Sequence, residues 1–135
     1  MQKVLMKEVF YINMKLIKLI QIKNVFKPDM KFKDIQVGYK VMKFLKSIES
    51  DTTFYDTKLV EIAQECAEKD GDKIKTTENG NLVLAKDKIS EWNNKVEDLA
   101  NIKIEVTLPS FKLEDFNECG FTLEELSILE PLISE

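Results

Sequence analysis

The side chains that could do chemistry in this chain are lysines, carboxylates and two cysteines, because its 135 residues include no histidine and no arginine. Histidine is the usual general base near neutral pH, the commonest metal ligand and a member of Ser-His-Asp and Cys-His nucleophilic sites. Arginine binds phosphate or carboxylate through two hydrogen bonds at once. We therefore predict that the protein is not an enzyme and has no catalytic residues.

The remaining donor groups do not match a metal or cofactor motif. Cys66 and Cys119 lie far apart in the sequence, and a two-thiol metal site would need two further ligands that we do not find. The acidic residues from Asp70 to Glu78 lack the spacing of a calcium-binding loop. We predict no metal and no cofactor, and two free thiols, as expected in a reducing cytoplasm.

Charge is distributed unevenly along the chain. Residues 1–46 contain eleven lysines and three acidic residues, a net charge of +8, and residues 47–135 contain nine lysines and twenty-one acidic residues, a net charge of −12. This pattern fits a basic surface for nucleic acid or an acidic protein, or two halves that pack on each other or on a second copy. We favour the packing interpretation, because specific nucleic-acid binding relies heavily on arginine.

Six charged residues form the candidate partner-binding surface. The acidic face of the C-terminal helix could dock on a basic protein patch or imitate nucleic-acid phosphates, and the alternative is an ordinary solvated helix surface. Lysines of the first third could contact an acidic partner. The candidate residues are Glu124, Glu125, Glu130, Lys33, Lys40 and Lys43.

The elements that would position these residues give an α+β fold. Apolar residues recur every three or four positions from Val37 to Cys66, which predicts a long amphipathic helix over about 33–69, with Gly71 as a candidate C-terminal cap. One helix of this length would be roughly 55 Å long at 1.5 Å per residue. The alternative is two helices that meet near Asp51, since Ser50–Thr53 favours helix caps. Lys15–Val25 fits a strand and a helix equally well.

Shorter elements follow from turn and cap signals. Asn79-Gly80 predicts a β-hairpin, Asp87 is a suitable helix N-cap, Trp92 is the expected core anchor of the next helix, and Thr122 with Glu125 forms a capping box. In chain order we predict a hairpin over about 73–86, a second helix over about 88–100, a strand over about 102–107, an irregular linker over 111–121 and a C-terminal helix over about 122–133.

The first residues are expected to contribute little. Met14 is a plausible alternative start, so we predict an N-terminal extension over 1–13 and a single globular domain over 14–135. Lys7 and Glu8 interrupt the initial apolar run, so we expect no signal peptide there. No apolar run approaches the roughly 20 residues that span a bilayer, so we predict no membrane association.

Motifs spread between Val37 and Ile133 occur in a recognisable order. They are the helix ending Leu59–Gly71, the helix Ile89–Leu99, the alternating Ile102–Val106, the extended Leu108–Leu113, and the closing segments Phe121–Leu126 and Leu129–Ile133. In these segments the chain resembles a family of small proteins encoded by phages and prophages of low-GC Gram-positive bacteria. Cys66 departs from the family pattern, in which an aromatic residue is common at this position.

The resemblance implies a phage-borne protein that acts inside a bacterium, and it transfers no catalytic residue. We expect a non-enzymatic accessory protein that binds a host or phage protein and inhibits a host defence or host factor. The first alternative is a head, neck or tail component that self-associates through the long helix. The second is nucleic-acid binding through the lysine-rich N-terminal third. The expected location is the cytoplasm of the bacterial host, or the virion.

Overall fold

The structure is a computed structural model that describes residues 11 to 134, and these residues form five α-helices and two small antiparallel sheets. The strands are β1 (Tyr11–Lys15), β2 (Lys69–Asp70), β3 (Lys73–Ile74) and β4 (Lys103–Thr107). The helices are α1 (Leu16–Val25), α2 (Ile35–Ser47), α3 (Glu49–Cys66), α4 (Ile89–Ala100) and α5 (Leu123–Leu129). This confirms the predicted α+β class.

The predicted long helix over about 33–69 is two helices. Ile48 separates α2 from α3 with φ −104° and ψ 4°, and its side chain is buried. On either side, Ser47 Oγ donates to the Phe44 carbonyl at 2.6 Å and Thr52 Oγ1 donates to the Glu49 carbonyl at 3.0 Å. Such bonds from hydroxyls back to helix carbonyls weaken a helix. The junction therefore lies at Ile48 rather than at Asp51.

The end of α3 also differs from its prediction. The helix stops at Cys66, and the chain continues in extended conformation at Ala67. Gly71, with φ +70°, lies in the turn between β2 and β3 instead of capping the helix. A left-handed φ suits glycine because it has no β-carbon.

The segment whose sequence fitted both strand and helix is the helix α1. Its apolar residues are buried at Leu16, Leu19, Ile20, Ile22 and Val25. Spacing by three and four residues places them on a broad face, and only a narrow stripe that includes Lys18 and Gln21 is exposed. Helix α1 packs against α3, α4 and α5 and is the centre of the fold.

Strand β1 pairs with β4 over its whole length, from Tyr11 opposite Thr107 to Lys15 opposite Lys103. The predicted N-terminal extension over 1–13 is therefore wrong for residues 11–13, which belong to this sheet. Residues 1–10 of the predicted extension lie outside the described residues. One sheet face turns inward through Val106, Ile104 and Met14.

The predicted hairpin over about 73–86 is present in a narrower form. Thr76 and Leu82 pair across the Asn79-Gly80 turn, in which Gly80 N donates to the Thr77 carbonyl at 2.9 Å. Lys73 and Ile74 pair instead with β2. The predicted N-cap Asp87 is wrong, because a 3₁₀ turn at Lys86–Lys88 precedes α4, which begins without a side-chain cap.

Two hydrophobic clusters hold the elements together. The larger includes an aromatic group in which the ring centre of Phe116 lies 5.1 to 6.2 Å from those of Phe26, Phe111 and Phe121. The smaller consists of Leu16, Ile20, Tyr55 and Leu99. Trp92 is half-buried and belongs to neither cluster, so its prediction as a core anchor is wrong.

The C-terminal segment closes the larger cluster. The predicted linker 111–121 contains a 3₁₀ turn at Leu113–Phe116, and Phe111 N donates to the Leu132 carbonyl at 2.7 Å. Helix α5 begins at the predicted capping box, ends at Leu129 and continues as a 3₁₀ turn over Glu130–Leu132.

Among the helices between residues 11 and 134, none has both the length and the apolar character needed to cross a bilayer.

Candidate protein-binding surface

The apolar stripe that predicted the long helix faces the inside of the protein. Val37, Val41, Phe44, Ile48 and Tyr55 are all buried. These residues therefore belong to the protein's own core and do not form a surface for a partner. The residues that α2 presents to solvent lie on its opposite side.

A second apolar line runs along the exposed side of α2. Ile35 is 88% exposed, Tyr39 59% and Met42 42%. Their spacing of four and three residues places them on one helix face. Single exposed apolar residues are common on protein surfaces, but aligned large side chains mark interaction sites.

This line borders two connected depressions, which we together call the α2 groove. The deeper has a volume of about 680 Å³ between α1, α2, the start of α3 and the segment 26–32, and the shallower has about 580 Å³. Phe32, Gly38 and Met42 line both. Met30 and Leu45 add apolar surface to the deeper part. Methionine side chains adapt to many partner shapes, which suits a binding groove.

Gly38 lies in this groove within α2. A glycine inside a helix costs about 0.5–1 kcal/mol relative to alanine. Its φ is not among the left-handed values found at the other glycines, so the backbone does not require glycine there. The missing side chain leaves a space beside the Phe32 ring.

Lysines surround the α2 groove. Lys23, Lys27 and Lys46 line the deeper part and Lys33 the shallower. Lys43 Nζ lies 5.7 Å from the centre of the Tyr39 ring, at the apolar line. Helix α2 carries three lysines and no acidic residue.

Three acidic residues also line the groove. Glu49 and Asp56 lie at the α3 end of the deeper part. Asp34 lies in the shallower part, where its carboxylate accepts a hydrogen bond from Val37 N at 2.9 Å and caps α2. The Asp34 charge is thus held at the helix N-terminus, where the helix dipole favours an anion.

The three lysines predicted as binding residues divide between two roles. Lys33 and Lys43 are at the groove and its apolar line. Lys40 Nζ instead donates to the Ser110 carbonyl and lies 4.5 Å from the centre of the Phe111 ring. Lys40 therefore joins α2 to the C-terminal segment and is part of the fold.

The three predicted acidic residues do not line the α2 groove. Glu125 Oε1 accepts a hydrogen bond from Thr122 N at 2.9 Å and completes the cap of α5. Glu124 is exposed beside Leu123. Glu130 lines a separate depression together with Lys15 and Lys18. The acidic face and the lysines thus do not form one surface.

A polar cluster links the end of α3 to α4. The buried Cys66 thiol donates to Glu91 at 3.4 Å, and Lys95 Nζ donates to Glu65 at 2.6 Å and lies 3.7 Å from Glu91. Burial, followed by the bond to Glu91, raises the pKa of the Cys66 thiol. The bond from Lys95 lowers the pKa of the Glu65 carboxyl. Within residues 11–134, no group of three or more cysteine and carboxylate side chains could hold a metal ion.

The chain matches no protein-family model, no curated protein and no solved structure.

The apolar line of the candidate site was not predicted from the sequence. Ile35, Tyr39 and Met42 repeat with helical spacing, like the buried stripe two positions further along the sequence. That repeat was available as a signal, but spacing alone does not tell which of the two stripes is buried.

Proposed function

We propose that this chain is a non-enzymatic protein that acts by binding another protein through the α2 groove. The observation that carries the proposal is the exposed apolar line Ile35, Tyr39 and Met42 beside an apolar depression. Binding surfaces typically combine an apolar centre with a polar or charged rim. The lysines around the groove supply such a rim.

The resemblance to phage and prophage proteins supports a partner inside a bacterium. We propose an accessory role in which the protein occupies a surface of a host defence protein or another host factor. The lack of histidine and arginine supports action by occupancy rather than by chemistry.

Site-specific cross-linking tests this proposal. A photoreactive phenylalanine analogue replaces Tyr39 in one variant and Phe54, an exposed aromatic on α3, in the control. In lysate of a low-GC Gram-positive bacterium, we expect one dominant host protein to be cross-linked from position 39 and not from position 54. The adduct should be lost with Ile35→Ser and retained with Leu123→Ser, because Leu123 is a matched first-turn residue at 86% exposure.

Other results would contradict the proposal. Equal cross-linking from both positions would show that the α2 groove has no special role. Recovery of virion components alone would favour the assembly alternative. The structure gives little support to that alternative, because the apolar stripe that suggested self-association is buried in the core.

The lysine-rich segment is the basis of the nucleic-acid alternative. Lys40 is directed at Ser110, and Lys27 Nζ donates to the Asn24 carbonyl at 2.6 Å, so part of the positive charge serves the fold. An apolar line between the lysines fits a protein better than a phosphate backbone. Binding to a mixed-sequence duplex at low salt that disappears with Lys33→Glu would support the alternative.

A further inference from the structure

We infer that the outer edge of β4 pairs with β4 of a second copy of the chain, so that two sheets of two strands join into one antiparallel sheet of four. The surface involved is separate from the α2 groove, because no β4 residue lines either depression. It also differs from the apolar stripe of α2 and α3, which is buried. Pairing at this edge would therefore add to binding at the α2 groove without depending on it.

One edge of β4 carries backbone groups that point away from β1. The Leu16 amide donates to the Ile102 carbonyl at 2.7 Å, at the end of the β1–β4 register. Because hydrogen-bonded pairs alternate along an antiparallel ladder, every second residue from Ile102 onward bonds to β1. The residues between them direct their N–H and carbonyl groups outward, and we call this row the β4 edge: Lys103, Glu105 and Thr107.

The β4 edge is exposed and has no strand beside it within residues 11–134. Its sheet consists of β1 and β4, and no backbone hydrogen bond from a loop, a turn or a cap in this part of the chain reaches the edge residues. All three edge residues are exposed. Unpaired amides and carbonyls at a sheet edge form a template for another strand. A second strand would satisfy this row of donors and acceptors.

The charges on the β4 edge are complementary to those of a second copy. In an antiparallel pairing centred on Ile104, Lys103 of each copy lies directly opposite Glu105 of the other. Both side chains lie on the solvent face of the sheet, because they are two residues apart in the strand. Opposite charges at facing positions stabilise a sheet, and the symmetry supplies this pair twice. A lysine that would otherwise protect the edge therefore has a matching carboxylate.

Charge also selects this register over its neighbours. A pairing centred on Glu105 would set two carboxylates face to face, and one centred on Val106 would set Glu105 opposite Thr107 without a charge pair. The outer edge of β1, which includes Asn13 and Lys15, contains no acidic residue. It offers a second copy no such complementarity.

A like-charge contact inside the sheet gives further support. Lys15 of β1 lies directly opposite Lys103, and both residues are exposed. Like charges at facing positions destabilise a sheet. In the joined sheet, Glu105 of the second copy would lie on the other side of Lys103. Each Lys103 would then have a carboxylate as well as an ammonium group beside it.

Pairing would also cover apolar surface at the start of β4. Ile102 is 39% exposed and lies on the same face of the strand as Ile104 and Val106. In the proposed register it faces Val106 of the second copy. The contact between two five-residue strands is small, so we expect a weak and reversible dimer that forms at high protein concentration.

Sedimentation velocity of the full chain, over a concentration series up to the millimolar range, tests the pairing. The charge variants are Lys103→Glu, Glu105→Lys and the double exchange Lys103→Glu/Glu105→Lys. The backbone variant Glu105→Pro removes an outward N–H and leaves the hydrogen bonds to β1 in place. Its matched control is Asn13→Pro, which removes an outward N–H on the other edge of the same sheet. Circular dichroism shows whether each variant is folded.

We expect the wild-type chain to form a dimer. Each single charge variant should weaken the dimer by about tenfold or more, because like charges would face each other at two positions. The double exchange should restore it. An equimolar mixture of the two single variants should also dimerise, since only the mixed pair sets glutamate opposite lysine at both positions. Glu105→Pro should abolish the dimer and Asn13→Pro should leave it unchanged.

Other results would overturn the inference. These are a wild-type chain that stays monomeric throughout the series, a dimer that survives Glu105→Pro, and species larger than a dimer, which a closed two-fold contact does not produce. A dimer that Ile35→Ser dissociates would place the contact at the α2 groove instead. If a variant lacking residues 1–10 dimerises and the full chain does not, the first residues of the chain, rather than a second copy, occupy the β4 edge.

Discussion

The ring of Phe32 lies 3.4 Å from the point that a β-carbon at Gly38 would occupy. This is an ordinary van der Waals distance, so an alanine fits at position 38 without displacing the ring. The helical backbone of α2 also accepts alanine there. Neither the backbone nor the contact with Phe32 therefore requires glycine at position 38.

We expect Gly38→Ala to raise the free energy of unfolding by about 0.5–1 kcal/mol, because alanine loses less backbone entropy in a helix. The same variant should weaken binding at the α2 groove. Urea denaturation checks the first effect, and cross-linking of the host protein from position 39 checks the second. A destabilised Gly38→Ala protein would show that the space beside Phe32 is needed for the fold itself.

The aromatic cluster is expected to dominate stability. Phe116 is 4% exposed and its ring centre lies 5.1 Å from that of Phe111 and 5.5 Å from that of Phe121. Phe116→Ala should lower the free energy of unfolding by about 3–5 kcal/mol, because it leaves a cavity. Phe54→Ala, at an exposed site, is the matched control and should change it by less than about 1 kcal/mol. Chemical denaturation of both variants measures the difference.

The buried thiol gives a prediction for alkaline pH. Burial and the Glu91 hydrogen bond raise the pKa of Cys66, so the folded state keeps a proton that the unfolded state releases. The free energy of unfolding should therefore fall as pH rises above the ordinary thiol pKa of about 8.5. Denaturation midpoints from pH 7 to 10 test this, and Cys66→Ala should reduce the slope.

Thiol labelling provides a second measurement on the same group. Cys119 is half-buried, whereas Cys66 is fully buried. Iodoacetamide should therefore modify Cys119 first in the folded protein and Cys66 only when the chain unfolds. Mass spectrometry of the two peptides distinguishes the sites, and equal labelling rates would contradict the burial of Cys66.

The Glu65–Lys95 ion pair gives a prediction for acidic pH. The hydrogen bond from Lys95 lowers the pKa of the Glu65 carboxyl, so the pair stabilises the fold above the ordinary carboxyl pKa of about 4.3. This contribution is lost as pH falls through the lowered pKa of the folded state. Glu65→Gln should reveal it as a small difference from wild type at neutral pH that disappears in acid.

Salt and a matched variant control the acid experiment. The pair is exposed, so its contribution should shrink as ionic strength rises. Glu105→Gln on β4 removes an exposed carboxylate without removing this ion pair. If both variants show the same pH profile, the Lys95 hydrogen bond does not stabilise the fold.

The sequence predicts the elements whose signals are local. The three-and-four spacing from Val37 marks the buried faces of α2 and α3, Thr122 and Glu125 mark the start of α5, and the alternation at residues 103–106 marks β4. In each case the signal lies within a few residues of sequence, although the strand partner of β4 is the distant β1.

The features that sequence reasoning missed depend on distant contacts or on a balance between similar local energies. The helix breaks at Ile48 although the apolar stripe continues through it, and hydroxyl bonds of Ser47 and Thr52 to helix carbonyls lie on either side of the break. The contact of Lys40 with the Ser110 carbonyl, seventy residues away, has no local signal in the sequence. The exposed line through Tyr39 has the same spacing as the buried stripe, so spacing alone could not show which of the two faces the core.

The pairing of β1 with β4 also constrains the order of folding. Tyr11 is among the first described residues to be synthesised, but its partner Thr107 comes almost a hundred residues later. Closing so long a loop is entropically unfavourable, and folds that depend on distant pairings form slowly. During synthesis, β1 and the apolar helix α1 are made before β4 and α5, the elements they later contact. Their apolar residues stay uncovered until then, and the nascent chain is most prone to aggregation in that interval.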